Sequence, residues 1–200
     1  MTPERYNRLT NVLNHRQPDL TIVLENVFDP HNVSAVMRTC DAVGIQELYI
    51  LNNKIPPKKK WGYRSSSTAS EWLTIRQFTD AKSCFEEVRK KYQNIFTTHL
   101  SEDSVEIYEL DLTVSIALVF GNETFGVSEE VGRYSDGNFI IPQVGIIKSL
   151  NISVACAVTL YEAFRQKKGK GHYLQSRLAE TELSNLKKQW NLMEAGTNLL

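Results

Sequence analysis

Between Phe139 and Arg165 the chain reads FIIPQVGIIKSLNISVACAVTLYEAFR, and this stretch limits the possible folds more than any other. A short apolar run, Phe139-Ile140-Ile141, is stopped by Pro142 and reads as a strand. A polar loop containing Gly145 follows, from Gln143 to Asn151. Beyond it Ile152, Ala155, Cys156, Thr159, Leu160 and Ala163 recur near the period of 3.6 that marks a helix. Ser149 or Asn151 can cap that helix by accepting from its first free N–H groups. Lys148-Ser149-Leu150-Asn151 therefore lies where a strand feeds a helix N-terminus, the place where open α/β sheets bind ligands. A plain capped connection would use the same residue types, so this stretch alone leaves both readings open.

The rest of the chain repeats the alternation. Thr21–Leu24, Leu48–Leu51, Leu73–Ile75, Asn94–Thr98 and Ser115–Phe120 are apolar runs of strand length. Between them fall a helix from Asn32 to Ala42 with Gly44 as its stop, a helix from Asp80 to Tyr92, and a short one capped by Ser128. Such alternation predicts an α/β domain, a mainly parallel sheet flanked by helices. Pro3–Asn14 reads as an amphipathic helix carrying Tyr6, Leu9, Val12 and Leu13 on one face, and Leu178–Met193 as a closing helix. With 200 residues the chain holds one core domain and appendages. The expected division is an N-terminal helical extension over 1–19, a core over 20–166, and a C-terminal basic helical extension over 167–200.

Net charge is zero, which argues against a generally adhesive polycation. No apolar run approaches the ~20 residues of a membrane span, and the first residues lack the apolar core of a signal peptide. The expectation is a cytoplasmic protein with no membrane partner. Cys40, Cys84 and Cys156 show no ligand spacing, so neither a metal nor a disulfide framework is expected. Local charge is uneven. Arg165, Lys167, Lys168, Lys170 and Arg177 occur between Ala163 and Arg177 without an acid, Lys58-Lys59-Lys60 and Arg64 form a second cluster, and Arg5, Arg8 and Arg16 a third. Three basic patches in a neutral chain fit a nucleic-acid footprint better than random surface charge. Arg5, Arg8, Arg16, Arg165, Lys167 and Lys168 are the candidate phosphate contacts.

Gly121-Asn122-Glu123-Thr124-Phe125-Gly126 follows the strongest strand but fits neither GxGxxG nor GxxxxGK[ST], so no dinucleotide or P-loop site follows from it. A different set of motifs does fit. The run IPxxGxxxSLNxSxAxxxxxYEAxRQ starting at Ile141 resembles the third motif of the SpoU/TrmH RNA 2′-O-methyltransferases of the SPOUT superfamily. Asn32 and Arg38, six apart after the first strand, resemble the first motif, and GNExxG at Gly121 the second. The resemblance spans roughly residues 20 to 166, and the flanking helices look most like those of the tRNA-modifying TrmH branch.

The resemblance implies S-adenosylmethionine as cofactor, a homodimer with active sites at the subunit interface, and a trefoil knot at the C-terminal end. It implies that Arg38 is essential for catalysis, with Asn32, Glu123, Ser149 and Asn151 completing the arrangement. The backbone of Gly121, Ile141 and Leu150, with the Thr98 end of a strand, would hold the cofactor. The implied substrate is tRNA, at the D-loop guanosine of position 18. Methylation of rRNA or of another tRNA position, or an RNA-binding protein without turnover, are the alternatives. The part played by Arg38 stays open at this level. Making an arginine neutral near pH 7 costs about 7–8 kcal/mol, so a general base and a cation stabilising the forming alkoxide both remain in play.

Overall fold

The computed structural model describes residues 1–56, 69–99, 101, 103–122, 124–147 and 149–192. In chain order the elements are α1 (Pro3–Asn14), β1 (Leu20–Glu25), α2 (Pro30–Val43), β2 (Glu47–Leu51), α3 (Ala69–Trp72), β3 (Thr74–Phe78), α4 (Ala81–Lys91) and β4 (Asn94–Thr98). They continue with β5 (Val105–Glu106), β6 (Ile116–Phe120), α5 (Glu129–Gly132), β7 (Gly137–Ile140), α6 (Ile152–Gly169) and α7 (Glu180–Gln189).

The seven strands form one sheet in the order β3-β2-β1-β6-β4-β7-β5, with every pairing between these strands parallel. β1, β2 and β6 are buried along their whole length, which is why their sequences are continuous apolar runs rather than alternating ones. Alternate side chains feed two layers. Ile22, Leu24, Leu48, Ile50, Leu118 and Phe120 pack with α2 and α6, while Val23, Tyr49, Leu51, Ala117 and Val119 pack with α4 and α5. Helices thus cover both faces, as parallel sheets require.

Local boundaries follow the capping chemistry. α2 starts two residues before Asn32, because Asp29 accepts from His31 N–H at 2.8 Å and Pro30 suits the first turn. It ends at Gly44 in the left-handed region, as the sequence indicates. Asn151, and not Ser149, caps α6 by accepting from Ser153 N–H at 2.9 Å. α6 runs on to Gly169, so Lys167 and Lys168 belong to its last turn. α7 is shorter than the periodicity predicts and has no side-chain cap. β5 and α3, two short elements, carry too few residues for a periodic signal.

The two terminal segments share a core of their own. Leu13, Leu178, Leu186, Trp190 and Leu192 are buried together, with Tyr6, Leu9, Val12 and Trp72 packed against them. Trp72 and Trp190 meet edge to face, 5.1 Å between centroids. A second fastening sits at the entry to β1. Asp19 accepts from Lys167 Nζ at 2.9 Å and from Arg177 at 2.8 Å, tying the end of α6 and the segment before α7 to the start of the sheet.

Two of the candidate phosphate contacts, Arg16 and Lys167, lie inside the fold and not on its surface. Arg16 is fully buried. It donates to Asp41 at 2.8 Å and to the Ile45 carbonyl at 3.1 Å, and its guanidinium lies 5.4 Å from the Trp190 ring centroid. Lys167 is also fully buried, on Asp19. Neither reaches solvent, so neither is available to a phosphate. Burial lowers both their pKa values, against the opposing pull of their aspartates.

Candidate active site

The site forms at the carboxyl edge of the sheet, where the ends of β6, β4 and β7 lie side by side. Thr98, Gly121 and Ile141 come from these ends, and Ser149, Leu150 and Ile152 close the space from the loop leading into α6. Together they line a cleft of about 690 Å³, within the range of small-molecule sites. Thr98, Gly121, Ile141, Leu150 and Ser149, named from the sequence, all lie in its lining. Phe120, Phe139, Ile152 and Ala155 give it apolar walls, and none of its described lining residues is Lys, Arg, Asp or Glu.

The glycine at the end of β6 has a steric reason. A Cβ on Gly121 would sit 2.1–2.2 Å from the backbone of Gly126 and Val127. The chain therefore doubles back on itself, with Gly126 N–H donating to the Asn122 carbonyl at 2.8 Å. Gly126 itself has φ +68. The Asn122 side chain fills the inside of this turn. Its Oδ1 accepts from Thr124 N–H at 2.8 Å and Phe125 N–H at 3.3 Å, while its Nδ2 donates to the Asn26 carbonyl at 2.9 Å. Asn26 follows β1, is buried, adopts φ +51, and holds the next loop through Asn53 at 2.7 Å and Lys54 N–H at 3.0 Å. Glu25, the last residue of β1, accepts from Ser128 N–H at 2.9 Å and so anchors the far end of the turn.

Asn122, although part of the quoted GNExxG run, was not singled out from the sequence, nor were Asn26 and Glu25, and all three hold the turn in place. An asparagine followed two residues later by an N–H it can bind is a recognisable turn signal, but its link to Asn26 spans the fold. Glu123, named from the sequence, lies outside the described residues, as do Lys58, Lys59, Lys60 and Arg64.

Asn32 and Asn151 meet. Asn151 Nδ2 donates to Asn32 Oδ1 at 3.1 Å, joining the first turn of α2 to the cap of α6 across 119 residues. The other face of Asn151 remains on its own helix, through Ser153 N–H and Oγ. Arg38 is exposed on the third turn of α2. Of the remaining cations, Arg5 and Arg8 are exposed on α1, and Lys168 lies over the Phe164 ring at 5.7 Å. Arg165 is exposed but engaged by Glu162 at 2.7 and 2.8 Å, a carboxylate that raises its pKa.

A polar pair beside a mostly apolar cleft at the end of a parallel sheet suits a group-transfer enzyme of several kinds. The family comparison decides among them: the SpoU rRNA Methylase family model matches residues 19–161. The chain belongs to the SpoU family. A tRNA (guanosine(18)-2′-O)-methyltransferase of Thermus thermophilus is 41% identical to it over 179 residues, covering 88% of this chain and 90% of that enzyme. The Aquifex aeolicus TrmH/SpoU tRNA modifying enzyme superimposes with a TM-score of 0.85 at 38% identity, covering 93% of this chain and 94% of that one. An AdoMet-bound rRNA methyltransferase of Sinorhizobium meliloti superimposes with a TM-score of 0.67 at 25% identity, over 78% of this chain and 59% of that one.

The Sinorhizobium meliloti enzyme is solved with AdoMet, S-adenosylmethionine, bound. The cleft of this chain fits that molecule. Apolar walls suit an adenine, hydroxyls of Thr98 and Ser149 and main-chain groups at Ile141 and Leu150 offer polar partners, and no described lining cation opposes a sulfonium.

Proposed function

We propose that the protein transfers a methyl group to a ribose 2′-hydroxyl of tRNA, at the D-loop guanosine of position 18. The observation that carries this is the Asn32–Asn151 hydrogen bond beside the cofactor cleft, in a chain whose likeness to a tRNA (guanosine(18)-2′-O)-methyltransferase extends over 88% of its length.

Bound in the cleft, S-adenosylmethionine supplies an electrophilic methyl group. The chain's own residues do the rest. Thr98, Gly121, Ile141 and Leu150 would hold the cofactor, and the Asn32–Asn151 pair with Ser149 would position the ribose 2′-hydroxyl for methyl transfer. Glu123 completes the arrangement. Arg38 either takes the hydroxyl proton or stays cationic and stabilises the developing alkoxide. Arg5, Arg8, Arg165 and Lys168 steer the RNA backbone without reading its sequence.

The active form is a homodimer. Val144, Ile146, Ile147, Val154 and Tyr161 are exposed apolar side chains on the cleft loop and on α6, and a second subunit there would bury them. Phe139–Arg165 takes the family's knotted path in this reading, and the protein works in the cytoplasm, where its substrate is.

The test is incubation with radiolabelled S-adenosylmethionine and unmodified tRNA transcript, then digestion and nucleoside mapping. Label is expected in 2′-O-methylguanosine of the D-loop. Label in rRNA and not in tRNA would keep the chemistry and overturn the substrate.

A further inference from the structure

Beside the cofactor cleft lies a second groove of about 540 Å³, lined by Phe28, Asp29, Asn32, Ile55, Asn122, Thr124 and Phe125. The 121–126 turn divides the two spaces. Gly121 and Gly126 border only the cleft, Phe125 only the groove, and Asn122 and Thr124 border both. Asn32 reaches from the groove to Asn151, which follows the cleft residue Leu150. A ribose held at the Asn32–Asn151 pair therefore has the methyl donor on one side and this groove on the other.

We infer that the groove holds the base of the nucleotide being methylated, stacked against Phe125 with Phe28 as the facing wall; the inference rests on the RNA 2′-O-methyltransferase reading. Phe125 is 86% exposed and Phe28 67% exposed, unusual for phenylalanine and matched to an unstacked nucleobase, whose flat face binds aromatic rings. Phe125 is also preset. Its own N–H is bound by Asn122, and Asn122 is tied to Asn26, so the ring is presented by a fixed turn rather than by a loose loop. The groove's charge fits a base and not a phosphate, since its described lining residues include the carboxylate of Asp29 and no cation.

The experiment compares wild type, Phe125→Ala and Phe125→Trp on two substrates, an intact tRNA and the same tRNA with an abasic ribose at the mapped target nucleotide. On intact tRNA, Phe125→Ala should lower kcat/KM by about 10- to 100-fold, as removal of one base–aromatic stack does, and Phe125→Trp should restore it. Cofactor affinity and oligomeric mass should not change. On the abasic tRNA, wild type and Phe125→Ala should become equal, which a merely structural defect would not produce. Equal activity on intact tRNA, an undiminished loss on abasic tRNA, or a lower mass for Phe125→Ala would each overturn the inference. The last result would assign the ring to a protein contact. A wild type inactive on tRNA would instead bring down the reading on which the groove depends, so the two failures are told apart.

Discussion

Arg38 can serve the reaction as a base or as a cation, and one pair of substitutions separates these. Arg38→Ala should reduce methyl transfer by at least about 100-fold with cofactor affinity within about twofold, measured by single-turnover labelling and by calorimetry. Arg38→Lys should recover part of the rate if a positive charge is what the alkoxide needs, and none if proton removal by the guanidine is required. The charged residues also show where reading a sequence fails. Arg16 and Lys167 look like Arg8 and Lys168 in one dimension. What separates them is a carboxylate arriving from elsewhere, Asp41 for Arg16 and Asp19, 148 residues away, for Lys167. Asn151 was legible as a helix cap from local sequence, whereas Asn32, Gly121 and Leu150 were named through the motifs that resemble the SpoU/TrmH family. Asn122, by contrast, owes its importance to Asn26, a partner 96 residues away.

At the scale of the element, the last turn of α6 holds two adjacent lysines with opposite expected behaviour. Lys168→Ala, combined with Arg5→Ala and Arg8→Ala, should raise the KM for tRNA and flatten its dependence on salt by about one slope unit for each phosphate no longer neutralised, with the melting temperature unchanged. Lys167→Ala should leave the salt slope alone and lower stability by about 1–3 kcal/mol in denaturant titration, because Asp19 loses its buried partner and keeps only the partly exposed Arg177. β2 offers a pH-dependent case. Burial alone would raise the Glu47 pKa, but hydrogen bonds from Lys91 and Arg76 outweigh it and the net shift is downward. A carboxyl lowered in the fold contributes stability that is complete above its unfolded value of about 4.3 and disappears as pH falls through the folded one. Glu47→Gln should therefore flatten the acid limb of the stability curve; an acid limb identical to wild type would mean that other carboxylates set it. Central strands were readable because burial on both faces writes them as apolar runs. β5, with two residues, and α3, with four, hold too little pattern to read, and their conformations come from neighbours.

At the scale of the molecule, the two packed layers leave no cysteine reactive. Cys40, Cys84 and Cys156 are free and buried, and burial pushes the Cys40 and Cys84 thiols up to about 12 and the Cys156 thiol well above its ordinary value. A disulfide reagent at pH 8 should label no thiol in the native protein and three after unfolding; rapid native labelling would show that one layer opens locally. The fold class was legible from strand–helix alternation, whereas the strand order was not, since β4 lies beside β6 and β7 through pairings that no local pattern encodes.

The small core shared by the two ends of the chain bears on how such a protein can change over evolutionary time. Trp190 and Leu186 on one side rest on Leu13, Leu9 and Tyr6 on the other, over a guanidinium at Arg16 whose carboxylate partner belongs to the catalytic domain's α2. Recombination that replaced one end alone would strand the apolar face of the other. The two terminal segments should therefore be exchanged together, and a chimaera carrying one foreign end should melt at a lower temperature than one carrying both.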